Sequence, residues 1–532
     1  MEKKNVFNSD EAFSEIKLDI KNTTLPKAYG LIKVHKPQFP VRIIVSFVNS
    51  PLYQFDKCIS KFFSSHLKKP LAAVKNNLEV KNLLKNNCIP KNYEFISLDV
   101  VAMFPSLPHQ LILESLAKKW NSLKRFLPLT KQEFLSGIKT LLSSTYIQFN
   151  NKFYKQINGA PMGFCSSPWL ADITIEALET NALNKLKSSN ALNNNNNYFS
   201  SPPLYSNDTV LAYKRFADDI LLVVKKDNRN KVLDTFNNYH PKIKFTLETE
   251  NDNKISFLDL EITRIEDNYI LTNWYRKKTF SGRYLNFHSH HPLSQKRAII
   301  YSLVDKVFNL SNPSFHEKNF KLIKKFLIAN DYPKKFIEHH LNKRKNFINK
   351  KAQYTSPVEK TSQKFENKKF FILPFHKYIT PKLNKLFKNS DSISIKKTTN
   401  KLNHIIKLCK DKIETLKKSN IVYKINCKNC TANYIGQSKR NLEFRVQEHK
   451  RDVNNKKKTS ALANHVINTS HTIDIKNIKV IDQEKNYRKR IFSEMLHIHN
   501  NSNTMNKMED TKNLKMVYKN TLNLLKQFHS QK

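Results

Sequence analysis

At 532 residues the chain exceeds what one hydrophobic core usually organises, so two or three domains are expected. Its 92 Lys and Arg against 44 Asp and Glu leave a formal charge of +48, which points to a polyanionic partner bound in a salt-dependent way, although Lys- and Asn-rich tracts of low complexity account for part of the excess. No apolar run of about 18 residues is present, and the opening MEKKNVFNSDEAF has no apolar stretch, so neither a spanning helix nor a secretory signal is expected.

Residues 1–24 form a charged N-terminal segment. From 25 to about 310 short strand patterns alternate with helical ones, an α+β arrangement. YEFISLDV (93–100) reads as an apolar strand, and AYKRFADDILLVV (212–224) as strand, tight turn, strand. SPWLADITIEALETNALNKL (167–186) has helical spacing, with Ser167 as its cap and Pro168 in its first turn. SSNALNNNNNYFSSPP (188–203), within an insertion reaching 208, is of low complexity and reads as a surface insertion. Residues 271–348 turn helical and basic. A lysine-rich connector, partly helical at most, covers 349–417. Strand patterns resume at IVYKI and NYIGQ and are followed by the helix NLEFRVQEHKRDV, which opens a second compact unit over 418–515 with a tail over 516–532.

Six glycines in 532 residues fall far below the usual level of about 7%. A chain that avoids glycine should keep it where a side chain cannot fit or φ must be positive. Gly30, Gly159, Gly163, Gly282 and Gly436 all lie inside the motifs below; Gly137 does not. The six cysteines do not read as a disulfide framework, since only Cys427 and Cys430 are closely spaced.

Asp99 stands at the end of one apolar strand, and Asp218 and Asp219 in the turn between two others. Carboxylates gathered at strand ends repel one another, and a hard divalent cation relieves that repulsion. Two such cations about 4 Å apart are what template-directed nucleotide addition requires. An Asp-Asp pair alone is more often just an ordinary turn.

The order of motifs decides between these readings. YGLIKVHKP with VRIIVS (29–46), LDVVAMFPSLP (98–108), NGAPMGFCSSPWLAD (158–172), KRFADD (214–219), FLDLEI (257–262) and YRKKTFSGRYLNFHSHHPLSQKR (275–297) together resemble reverse transcriptases, and among them Penelope-like elements. The resemblance covers about residues 25–320. It implies a right-hand polymerase with fingers and palm over 25–270 and a thumb-like region over 271–348. It also implies metal ligation by Asp99, Asp218 and Asp219 with Mg²⁺ or Mn²⁺. Lys36 and Arg42 would meet the incoming triphosphate. Phe104 would exclude a ribose 2′-hydroxyl or else simply fill the core, and Gly159 and Gly163 would let backbone approach template and nucleotide. Met162 replaces a Gln of many reverse transcriptases and matches the Penelope-like subfamily. Because the match begins at about residue 25, an N-terminal extension common in the family is expected to be absent.

In the second unit Tyr423 and Tyr434 lie on strands, Gly436 follows, and Arg445 and His449 share one helical face. Glu494 sits in the helix RKRIFSEMLHIH, with Asn506 beyond. This set resembles the GIY-YIG endonuclease domain carried by Penelope-like elements, with Ile421 and Val422 where the first letters of that name would stand. The resemblance implies that Glu494 holds a metal, that Tyr423 or His449 helps activate water, and that Arg445 neutralises the phosphate. Cys427-x-x-Cys430 with His465 and His471 suits tetrahedral Zn²⁺, with His449 as the substitute ligand. The whole is expected to be an RNA-directed DNA polymerase fused to a small α/β nicking nuclease. Its expected partners are element RNA, target DNA and dNTPs, with no membrane. It would act in the nucleus after a cytoplasmic phase and would not be secreted.

Overall fold

The computed structural model describes residues 23–33, 38–70, 72–85, 87–186, 209–265, 269–353, 369–387, 390, 392–398, 411–501 and 503–530. Lys36 and the tract 188–203 lie outside these residues.

Two hydrophobic clusters support the portion from Cys58 to Leu341. Strands β1 (Lys27–Ile32) and β2 (Val41–Ser46) pair antiparallel with Leu31 opposite Arg42, and helix α1 (Tyr53–His66) follows. Strand β3 (Tyr93–Val100) coincides with the predicted YEFISLDV, with residues 94–98 all buried because both its faces are covered. The hairpin β4 (Tyr146–Phe149) and β5 (Lys152–Lys155) joins β1 to complete a four-stranded sheet.

Helix α2 spans Ser167–Leu186, the predicted limits, but its cap differs from the expected one. Ser167 lies inside the helix and its Oγ donates to Pro161 O at 2.7 Å. The segment leading into the helix is held by Asp56 of α1. Its carboxylate, fully buried, takes Cys165 N at 2.6 Å, Ser166 N at 3.0 Å and Ser166 Oγ at 2.5 Å. A side chain 110 positions away in sequence fixes the entry to the helix.

Strands β6 (Val210–Phe216) and β7 (Asp219–Lys225) form the predicted hairpin. With β3 and β8 (Phe245–Thr249) they make a second four-stranded sheet in the order β6-β7-β3-β8. Strand β3 is central and antiparallel to both neighbours. One cluster packs α1 and α2 against this sheet through Phe62, Leu98, Leu178 and Leu222. The other fills its opposite side with Phe95 and Val223 and continues into β9 (Lys254–Phe257), β10 (Leu260–Arg264) and β11 (Ile270–Trp274). Three helices, α3 (Leu293–Leu310), α4 (His316–Ile328) and α5 (Lys334–Gln353), pack on this second cluster through Val304, Ile323 and Leu341.

The lysine-rich connector is more ordered than its composition predicts. Strands β12 (Lys369–Pro374) and β13 (Ser392–Lys397) pair in parallel, and α6 (Ile379–Leu386) crosses between them. Six-residue strands with lysines at their ends read as linker by composition, yet β12 presents Phe371 to Phe387 at a ring separation of 4.9 Å.

The last unit has a sheet in the order β15-β14-β16, built from β14 (Ile421–Asn426), β15 (Asn433–Ser438) and β16 (Lys479–Gln483). Helices α7 (Leu442–Asn454), α8 (Ala461–Thr469) and α9 (Tyr487–Asn500) surround it. Its core, built on Ile421, Tyr423, Ile425, Leu442 and Leu462, draws only on residues of this unit. Among the described residues no helix is long and apolar enough to cross a membrane.

Candidate functional site

Asp99 on β3 faces Asp219 on β7 in register, so both side chains project from the same side of the sheet, and Asp218 precedes Asp219 in the turn. Both strand ends run into backbone that non-glycine residues rarely adopt: Ala102 has φ 50° and Ala217 has φ 55°. Burial, then the neighbouring Asp218 and Asp99, pushes the Asp219 carboxyl up to about 6, and Lys277 partly offsets this. Three half-buried carboxylates, two of which raise the third's cost of ionisation, form a donor set fitted to a divalent cation.

The turn has a support that the sequence motifs did not single out. Arg215, 1% exposed, donates to Ala217 O at 3.1 Å, meets Asp172 Oδ1 at 2.7 Å and pairs with Glu179. Tyr213 Oη donates to the same Glu179 at 2.6 Å. A signal exists in the strand VLAYKRF: Arg215 alternates with Tyr213 and Leu211 on one face, and an arginine on an apolar face needs buried carboxylates.

Of the nucleotide-side expectations, Arg42 is exposed on β2 and Phe104 is half-buried against the first cluster. The two glycines are explained differently from the expectation. A Cβ on Gly159 would lie 2.8 Å from Pro105 Cα and 2.9 Å from Phe104 O, at φ 85°. One on Gly163 would lie 2.0 Å from Val45 O, at φ 137°. Each glycine lets two segments of this chain touch, a demand on the position that arises within the chain itself. The Gly159 contact is completed by Ala160 N donating to Phe104 O at 2.8 Å.

The C-terminal candidates converge. Tyr423 Oη lies 2.7 Å from His449 Nε2, and Arg445 Nε donates to Tyr423 Oη at 3.3 Å. The Tyr423 and Tyr434 rings stand 6.4 Å apart, and a Cβ on Gly436 would come within 2.7 Å of Tyr423 Oη, so the glycine makes room for the hydroxyl. Burial raises the Tyr423 phenol and lowers His449 to about 4, leaving both neutral near neutral pH. Glu448, absent from the predicted set, holds Arg445 Nη1 at 2.8 Å.

Glu494 is half-buried and pushed up to about 7, chiefly by desolvation and then by Asp510, while the Gln437 N–H hydrogen-bonds to it. Asn506 reads the free edge of β15, accepting Ile435 N at 2.9 Å and donating to Ile435 O at 2.8 Å. Its amide also donates to Asp510 at 3.1 Å. Asp510 is therefore part of the cluster and was not signalled by any motif. The strand edge thus carries Glu494 at Gln437 and Asn506 at Ile435, two positions apart.

Cys427, Cys430, His465 and His471 present ligand atoms that all lie within 4.8 Å of one another. Cys430 Sγ and His465 Nε2 are 3.7 Å apart, close to the spacing of about 3.5 Å that tetrahedral sulfur and nitrogen ligands adopt around one ion. The buried His471 Nδ1 has no hydrogen-bond partner among the described residues, which also fits a ligand role. His449, engaged by Tyr423, is outside this group.

Residues 283–342 match the family model of the animal helix-turn-helix domain, a span that contains α3 and α4 and the start of α5. Over 103 residues the chain is 32% identical to the telomerase reverse transcriptase of Euplotes aediculatus, a stretch that is 19% of this chain and 9% of that protein. Among solved structures it is similar to apo telomerase from Candida tropicalis truncated from the C-terminal domain, at 17% identity over 47% of this chain and 54% of that one, TM-score 0.32. It is also similar to the Sicinivirus 3Dpol RNA dependent RNA polymerase, at 11% identity over 57% of this chain and 63% of that one, TM-score 0.34. The chain spans less than two thirds of the length of each of these relatives. It is a mixed α/β protein with a reverse-transcriptase-like stretch and a possible Cys/His metal site.

Proposed function

We propose that this chain is an RNA-directed DNA polymerase fused to a GIY-YIG-type DNA-nicking endonuclease, acting in target-primed reverse transcription of a Penelope-like retrotransposon. The observation that carries the reading is the in-register pair Asp99 and Asp219 with Asp218 beside it. Mg²⁺ or Mn²⁺ held there would neutralise the triphosphate and ease deprotonation of the attacking 3′-hydroxyl. Lys36 and Arg42 would bind the triphosphate, and Phe104 would screen the 2′ position. In the nuclease unit Glu494 would hold a divalent ion and Arg445 would take up developing phosphate charge. Tyr423 or His449 would help activate the attacking water. Zn²⁺ at Cys427, Cys430, His465 and His471 would staple that unit. Element RNA, target DNA and dNTPs are the proposed partners and the nucleus the proposed site of action.

The test is dNTP incorporation on an RNA template with a DNA primer. Asp218→Asn should lower the rate at least about a hundredfold, because one charge of a two-metal site is lost. Phe104→Ala should raise rNTP use relative to dNTP. A wild-type rate in Asp218→Asn would remove the metal assignment.

A further inference from the structure

We infer that Arg215 is a positioning residue for the polymerase carboxylates, holding the left-handed Ala217 turn that aims Asp218 and Asp219. The inference rests on the polymerase reading of those aspartates. Four observations carry it.

Ala217 occupies φ 55° without being glycine, a conformation that costs about 1 kcal/mol and persists only where surroundings impose it. The two-residue loop between Phe216 and Asp219 asks for a positive φ at this position, and Arg215 Nη1, donating to Ala217 O at 3.1 Å from within the same hairpin, fastens the turn in it. The guanidinium cannot drift, because Asp172 meets it at 2.7 Å, Glu179 pairs with it, and Tyr213 holds Glu179 at 2.6 Å. Its own backbone is pinned too, with Arg215 N donating to Ala72 O and Val74 N donating to Arg215 O, both at 2.9 Å.

Asp172 and Glu179 both lie on α2, the helix that follows the Gly159–Gly163 segment. The clamp therefore links the acid-bearing turn to the element opposite it across the first hydrophobic cluster. Arg215 touches no reacting atom. It sets where two carboxylates point, and the planar guanidinium lets one side chain meet two carboxylates and a carbonyl at once, Nη1 toward Asp172 and Ala217 O and Nε toward Glu179. Lysine keeps the charge without that fork.

A purely structural ion pair predicts a different outcome from a positioning role, and the distinction is measurable on the full chain. Mn²⁺ binding followed by electron paramagnetic resonance, taken as the part lost in Asp218→Asn, reports the site without requiring turnover. Arg215→Lys should weaken that binding at least about tenfold, as loss of an outer-shell partner does, and should raise the Mn²⁺ requirement for incorporation in parallel. Adding Ala217→Gly to Arg215→Lys should restore much of the affinity, because glycine adopts the positive φ without a clamp. A structural role alone would lower the melting temperature and leave Mn²⁺ affinity of the folded fraction unchanged. That result, or failure of Ala217→Gly to restore binding, would overturn the inference. If Mn²⁺ binds as expected and responds to these variants while no nucleotide is incorporated, the polymerase reading fails and the positioning role stands.

Discussion

At the scale of single residues the two acidic centres are poised differently from ordinary carboxylates, and that makes both pH-sensitive. Asp219 has its pKa raised from 3.8 to about 6 by burial, Asp218 and Asp99. Between those values the folded state holds a proton that the unfolded chain has released, so without metal Asp219 costs stability as pH rises through about 6. A bound divalent cation offsets that cost only when the carboxylate is ionised. Mg²⁺ should therefore raise the melting temperature clearly at about pH 7.5 and hardly at about pH 5, and Asp219→Asn should abolish the difference. Equal Mg²⁺ stabilisation at both pH values would argue that the ion sits elsewhere. Glu494, pushed to about 7, predicts a nicking rate that climbs as pH rises through neutrality, because a protonated Glu494 cannot hold a cation. Asp510 is the largest charge contribution after burial, so Asp510→Asn should move that midpoint to lower pH. A midpoint that stays put would show that burial alone sets it.

At the scale of elements, the last unit shows what a metal staple would join. Cys427 closes β14, Cys430 lies in the connection to β15, His465 is on α8, and His471 follows the left-handed Ser470 that ends it. Cys427 N donates to Ala432 O and Lys428 N to Thr472 O, both at 2.9 Å, so backbone contacts already bring the two segments together. Zn²⁺ release by a chelator, or Cys427→Ser, should unfold residues 418–515, read by circular dichroism, because binding energy there is folding energy. Retained folding in a fragment shown to be metal-free would make the cluster incidental. Strands 93–100 and 212–224 and helix 167–186 were legible in the sequence because their apolar patterns are continuous and their periods unambiguous. The Tyr423–Arg445–His449–Glu494 grouping was legible through spacing along an ordered motif. What escaped was settled by partners distant in sequence: Asp56 holding the entry to α2, Asp172 and Glu179 on the Arg215 guanidinium, Asp510 beside Glu494. Gly159 and Gly163 were found as special positions, but sequence alone could not reveal that the close neighbour is the chain's own backbone. The β12–α6–β13 unit was lost in a lysine-rich background because two six-residue strands have too few positions to establish a period.

At the scale of the molecule, the two proposed activities should separate cleanly. The core of the last unit is built from its own residues, and the cluster Tyr423, Tyr434, Arg445, Glu494, Asn506 and Asp510 lies within it. The contacts that tie this end to the polymerase-like portion, Asp411 with Asn151 N at 3.0 Å and Lys27 Nζ with Lys412 O at 2.7 Å, lie just before it. A fragment beginning at about residue 415 should therefore fold and nick DNA with a divalent metal, needing nothing from residues 1–350. Glu494→Ala removes the carboxylate assigned to the metal there and should abolish nicking. DNA binding should survive, because it rests on many lysines and arginines and should weaken steeply with added salt. Arg445→Ala should depress cleavage by about 3 kcal/mol if the guanidinium neutralises phosphate in a water-poor site. Both variants, made in the full chain, should still extend a pre-nicked primer, since Asp99, Asp218 and Asp219 are untouched. Robust nicking by Glu494→Ala would sink the nuclease site, and nicking confined to fragments that contain Asp218 would move the activity to the other end of the chain.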